Sequence, residues 1–276
     1  MNTVANEAPG KTGFGKTFLA LMALGIPGIL SLLPMVLNQI EALPPEMLEL
    51  PVPLTVALAL FNSLILLAIA VAIGTLLAHR VGLRSLVAEK VRYGTAIWPQ
   101  LRPYIKMAVV AGLIFAVVVL GLDALINPFA GTELADGLTP GEAPTLGALL
   151  TQLLMGILYG GIVEELLLRW GVMALFVWIG WRVAQRGQGL PSSALVWTAN
   201  ILAALLFGIG HLPALAALIT LTPLIVIRTV LLNALGGVLF GWLFWKRNLE
   251  TAMVAHAATH VGFFIINAGV ALLGLV

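Results

Sequence analysis

The chain reads as a series of long apolar runs separated by short polar ones. A run of about 20 apolar residues is what a helix needs to cross a hydrocarbon core. Such runs predict spans over 17–40, 54–78, 107–126, 146–179, 194–211 and 250–275. The first has an apolar core from Phe18 to Leu37, too long for a signal peptide and lacking a small-x-small cleavage site, so it is expected as a retained span. It contains Pro27 and Pro34, which membrane helices tolerate at a kink. Between Ala214 and Trp245 the chain stays apolar but is interrupted at Pro223. That pattern predicts a short or partly inserted helix followed by one full span. The expected fold class is all-α: a polytopic transmembrane helical bundle of seven to eight membrane helices, integral as one domain. It divides into a polar cytoplasmic tail over 1–16, N-terminal transmembrane helices over 17–126 and a C-terminal transmembrane core over 145–276.

Composition agrees. Of 276 residues, 61% are hydrophobic and 9% charged, which excludes an ordinary soluble domain. Cysteine is absent, so disulfides, thiolate metal sites and cysteine nucleophiles are excluded. The pI near 9.2 raises the question of nucleic acid, but the placement of the cations answers it. Every Lys and Arg except Arg169 and Arg228 lies in the N-terminal tail or in segments 80–106, 180–193 and 246–247. The loops 41–53 and 127–145 carry Glu41, Glu46, Glu49, Glu133, Asp136 and Glu142 and no cation. This alternation places the N-terminus and the basic segments in the cytoplasm of a cell (inner or plasma) membrane. It requires an odd number of crossings between His211 and Lys246. Trp178, Trp181, Trp242 and Trp245 flank basic turns as interfacial anchors, and Arg228 is expected to snorkel. The partner implied is the lipid bilayer, not nucleic acid.

Against this background the ionisable residues inside apolar runs stand out, because each is costly there and marks a functional site by default. Glu164, Glu165 and Arg169 sit in the fourth run. On an α-helix Glu165 and Arg169 are i,i+4 and pair, whereas Glu164 points elsewhere and needs a partner from another helix. His211 ends the fifth run, and His256 and His260 share one face of the last. Each buried imidazole has two ring nitrogens to satisfy, so these histidines and Glu164 are natural partners. Simple interhelical hydrogen bonding would explain one histidine; for the whole set, a site is the stronger reading.

Three motifs carry a resemblance. Glu164-Glu165-Leu-Leu-Leu-Arg169 resembles the EExxxR motif, and Phe207-Gly-Ile-Gly-His211 the FxxxH motif, of the CPBP (Abi) family, which includes the type II CAAX prenyl endopeptidases. Asn233-Ala-Leu-Gly-Gly-Val-Leu-Phe-Gly through Ala255-His256-Ala is similar to its third conserved region. The resemblance covers about 145–267 and makes 145–276 the catalytic core. It implies an intramembrane endopeptidase acting on a membrane-embedded or lipid-anchored peptide or protein. Glu164 would be the general base on water, His211 would hold that water, and His256 would stabilise the oxyanion through a neutral imidazole N–H. His260, standing where the family has Asn or Asp, would assist His256 as a fourth catalytic residue, and Glu165 with Arg169 would form a supporting pair without a chemical step.

No cofactor is required by this scheme. His256-x-x-x-His260 nevertheless has the spacing of a zinc helix, and Glu164, His211, His256 and His260 would complete a His₃-carboxylate zinc site. Two other readings keep the same residues: a catalytically silent membrane scaffold or bacteriocin-immunity factor, and a cation carrier, for which no inverted repeat is evident. One count does not close. Glu164 and His211 lie about 27 Å from the cytoplasmic ends of their helices, but His256 only about 13 Å from Arg247. The residues meet only if helices tilt strongly or the 246–249 turn dips inward.

Overall fold

The computed structural model describes residues 11–43, 50–129 and 145–273, all helices and connections. The chain forms α1 (Lys11–Leu30), α2 (Leu33–Glu41), α3 (Val52–Leu77), α4 (Leu86–Tyr93) and α5 (Ile97–Ile126). The continuous helix α6 (Leu146–Ala184) follows. After it come α7 (Ser193–Gly210), α8 (Leu212–Ala216), α9 (Pro223–Lys246) and α10 (Leu249–Leu272). Among the described residues, 7 helical stretches are long and apolar enough to cross a membrane, so the bundle is polytopic and all-α. The break at Pro223 resolves as expected: α8 is a five-residue piece and α9 a full span.

Three boundaries differ from the sequence reading. The helix of the first span starts by Lys11, inside the expected polar tail, and its kink falls between Leu30 and Leu33, ahead of Pro34. The basic segment 80–106 between the second and third expected spans contains a helix of its own. This is α4, where the Ser85 side chain caps the N-terminus by accepting from Ala88 N, and Gly94 ends the helix at φ 73°. The third span then begins at Ile97, ten residues early. Glu46, Glu49, Glu133, Asp136 and Glu142, with residues 1–10 of the tail, lie outside the described residues.

Helix α6 is the hub. Its middle, including Val163, Leu166, Trp170, Met173 and Val177, is buried against α1, α3, α7 and α10. Lipid gives no hydrophobic drive for helices to associate, so cohesion comes from close packing through small residues. The clearest case joins α5 to α10. A Cβ placed on Gly112 would meet the Ala255 carbonyl and come within 2.9 Å of Ala258 Cβ.

The start of α10 resolves the depth conflict. Leu249 and Glu250 are buried, and Leu249 N donates to Arg84 O at 3.0 Å. The Glu250 carboxylate accepts from Ser85 Oγ (2.7 Å), Leu86 N (2.8 Å) and Val87 N (2.9 Å). A carboxylate from α10 therefore satisfies the orphan donors at the N-terminus of α4. The 246–249 turn is tucked beneath that segment, which brings His256 level with the middle of α6.

Arg228 corrects a second expectation. It does not snorkel: its guanidinium pairs with Asp123 and donates from Nε to Asn127 Oδ1 at 3.1 Å, tying α9 to the end of α5. The pair neutralises both charges where the two helix ends meet.

Replacing Gly112 by Val should force α5 and α10 apart. The expected loss is about 1–3 kcal/mol of stability, measured by thermal or denaturant unfolding in detergent, with Gly121→Val, which has open space around it, as the silent control.

Candidate active site

The site is built where α6, α7, α9 and α10 meet. Through the Glu-Glu motif α6 is not α-helical: Gly156–Glu164 and Leu166–Met173 follow π-helical hydrogen bonding. Such segments are rare and frequent at functional sites, because i→i+5 bonding re-aims neighbouring side chains. Here it lets two consecutive carboxylates address one imidazole. His256 Nδ1 lies 2.9 Å from Glu165 Oε1, and His256 Nε2 lies 3.8 Å from Glu164 Oε2.

Glu164 has the partner it lacked within its own helix. His211 Nε2 is 3.9 Å from Glu164 Oε1, so the carboxylate is flanked by two imidazoles. These separations exceed a direct hydrogen bond, so a water bonded to Glu164 and to either imidazole would sit beside the line joining them rather than between them. Accessibility differs sharply between the two glutamates. The Glu164 side chain is 16% exposed and the His211 side chain 36%, whereas Glu165 is sealed at 0%. Glu164 faces the opening and Glu165 the core.

The tautomers follow from the acceptors. His211 Nδ1 lies 2.8 Å from the Phe207 carbonyl oxygen, which can only accept, so Nδ1 carries a proton. Glu165 makes the same demand of His256 Nδ1. In neutral form both histidines therefore present a bare Nε2 to Glu164. With Glu165 accepting at Nδ1, a donor at His256 Nε2 requires imidazolium, with Glu165 as counter-charge.

Glu165 also meets Arg169 as the spacing predicts, with Arg169 Nε 3.3 Å from Glu165 Oε2 and both side chains sealed. The contact is charge on charge, since neither atom has an aligned hydrogen bond among the described residues. Arg169 donates from Nη2 to the Gly237 carbonyl at 3.2 Å, and its guanidinium lies 4.9 Å over the Phe207 ring and 5.8 Å from that of Phe240. Two aromatic faces and one carbonyl take up part of the guanidinium, whose Nε and Nη1 have no hydrogen-bond partner among the described residues.

The sequence reading missed the packing that fixes the imidazoles. Phe240 stacks on His256 with centroids 4.4 Å apart, and Phe207 sets its edge against both His211 (4.8 Å) and His256 (5.9 Å). Phe207 and Phe240 stand in the second and third motifs, so the signal was present, but their role depends on which helices meet. His260 stacks behind His256 at 5.2 Å, and its ring lies on Gly156 and Gly160, where an added Cβ would come within 2.5 Å of ring atoms. The ion pairs of Glu164 are with His211 and His256, and His260 is not brought to it. Asn200 bridges α7 to the Val238 carbonyl at 3.0 Å, whereas Asn233 bonds within its own helix to the Thr229 carbonyl.

The zinc set fares accordingly. Bare Nε2 atoms backed at Nδ1 are the donors zinc takes. Among the described residues, however, no group of three or more His, Cys, Asp or Glu is gathered closely enough to hold a metal ion. His260, needed to complete the set, faces the glycines instead, so the four residues do not fit a zinc ion in this arrangement.

Residues 145–262 match the family model described as "Type II CAAX prenyl endopeptidase Rce1-like". No curated protein and no solved structure matches the chain. The matched segment carries all three motifs and every residue of the constellation, in agreement with the resemblance of the motifs.

Glu165→Gln should leave Arg169 as an uncompensated buried charge and cost about 3–5 kcal/mol. Unfolding in detergent checks this, and the double change Glu165→Gln with Arg169→Met should recover most of the loss.

Proposed function

We propose that this Rce1-like chain is an intramembrane endopeptidase that cleaves a membrane-embedded or lipid-anchored peptide by a water that Glu164 activates. The observation that carries the reading is a partly open carboxylate flanked by two imidazoles whose Nε2 atoms face it at 3.8 and 3.9 Å. A water hydrogen-bonded beside the Glu164–His211 pair has Glu164 to take its proton and His211 Nε2 to orient it.

The water oxygen attacks the carbonyl carbon of the scissile bond as its proton passes to Glu164. A C–O bond forms and the carbonyl π pair moves onto oxygen. His256, as imidazolium against Glu165, donates from Nε2 to that oxyanion. When the C–N bond breaks, the proton held by Glu164 goes to the leaving amine. Glu165 takes no proton in this scheme; it keeps His256 oriented and its positive charge balanced, while Arg169 balances Glu165 in turn. Zinc is no part of the proposal, and His260 serves as packing against Gly156 and Gly160.

We further infer that the N-terminus and the basic segments lie in the cytoplasm. Seven spans, with one full crossing between His211 and Lys246, give the alternation that the cation pattern requires.

The test is cleavage of a quenched fluorescent peptide library by the full chain in nanodiscs. Glu164→Gln and His256→Ala should each lower turnover by about 10²–10⁴-fold, and His211→Ala should fall with them; Glu164→Gln and His211→Ala, which lie outside the sealed charge chain, should unfold like wild type. Chelator should have no effect. Turnover lost to chelator and restored by Zn²⁺ would replace the metal-free scheme. A folded wild type that cleaves nothing would favour the silent scaffold or immunity factor.

A further inference from the structure

At the end of the bundle where α5 and α10 begin and α9 ends, and lined by none of the site residues, lies a polar cavity of about 250 Å³. That is the bulk volume of about eight water molecules. Its lining includes Arg84, Gln100, Tyr104, Lys246, Arg247 and Asn248, and no carboxylate.

What distinguishes the cavity is that its free groups are donors. Arg84 is matched by Glu89 at 2.6 Å and donates to Gln100 Oε1 at 3.0 Å. Lys246 and Arg247 form no ion pair among the described residues. They rest on aromatic faces instead, Lys246 Nζ 3.4 Å from the Trp245 ring and the Arg247 guanidinium 4.8 Å from that of Tyr104. Asn248 spends its oxygen on Thr251, accepting from N and Oγ1 at 2.9 Å each, which leaves its amide N–H groups. The Gln100 oxygen is taken up by Arg84, and its amide nitrogen donates one N–H to the Ala96 carbonyl at 3.0 Å, leaving the other. Two uncompensated cations with amide N–H groups and no free carboxylate make a receptor for an anion rich in acceptor oxygens.

The place in the fold says which anion. Lys246 ends a membrane span, and Trp245, Tyr104 and Trp98 cluster by sequence at the same end, where amphipathic rings sit at headgroup level. Basic pockets between spans at that level fit phosphate-bearing headgroups. We propose that this cavity binds the phosphoryl group of an anionic membrane lipid. Because Asn248 caps α10 and His256 lies about two turns further along the same helix, an occupant is anchored to the helix that carries part of the site.

The experiment titrates the full chain in neutral detergent with fluorescent short-chain phosphatidylglycerol, with phosphatidylcholine of the same chains, and with inorganic phosphate as competitor. Wild type should prefer phosphatidylglycerol. The exposed double change Lys246→Gln with Arg247→Gln should weaken that binding about thirtyfold, while Arg186→Gln, at another basic turn, leaves it unchanged. Tyr104→Phe, which keeps the ring under Arg247, should weaken it about fivefold if its hydroxyl donates. Unfolding midpoints equal to wild type without lipid show that the variants fold. Displacement by inorganic phosphate at concentrations comparable to the lipid would confirm the phosphoryl site and name soluble phosphate as its occupant; resistance to it names the lipid. Equal binding of the two lipids, or phosphatidylglycerol binding unchanged by the double substitution, overturns the proposal.

Discussion

The buried charge chain from Arg169 through Glu165 to His256 is the constraint to which the rest of the bundle answers. Each ion taken from water into such an interior costs several kcal/mol unless a partner and further polar groups receive it. Here the partners come from different helices: Arg169 and Glu165 from α6, the Gly237 carbonyl and Phe240 from α9, Phe207 from α7 and His256 from α10. Withdrawing any one helix would strand a charge. The same polar cluster that equips the site therefore also specifies which helices meet and in what register.

Close approach is what makes that register attainable. Gly112 admits the α10 backbone against α5, and Gly156, Gly160 and Gly161 admit α10 against α6. The His260 ring lies where side chains at 156 and 160 would be. Without these approaches the Glu165–His256 distance of 2.9 Å could not be reached. Packing in lipid lacks a hydrophobic drive, so shape complementarity at small residues does what apolar burial does in water.

The basic end of the bundle contributes in another way. Glu250 caps α4, Leu249 bonds to Arg84, and the start of α10 is sealed beneath that segment. A helix that begins inside the protein places His256 opposite residues that lie much further along their own helices. The donor-lined cavity beside Lys246 and Arg247 sits at the same junction.

Hydrophobic run length and the motif spacing by themselves determined the all-α spans, the single crossing after Pro223, the Glu165–Arg169 pair and the choice of Glu164, His211 and His256 as partners, though not how they reach one another. These follow from local rules: a span needs a minimum apolar length, i,i+4 residues share a face, and a buried charge needs a partner. Tertiary structure alone decided the π-helical turn that lets both glutamates reach His256, the tautomers set by Phe207 and Glu165, the turning of His260 onto glycines, and the pairing of Arg228 with Asp123. Each depends on which groups from distant parts of the chain stand opposite one another. A count of rise along one helix cannot register that, because it treats every helix as starting at the membrane surface.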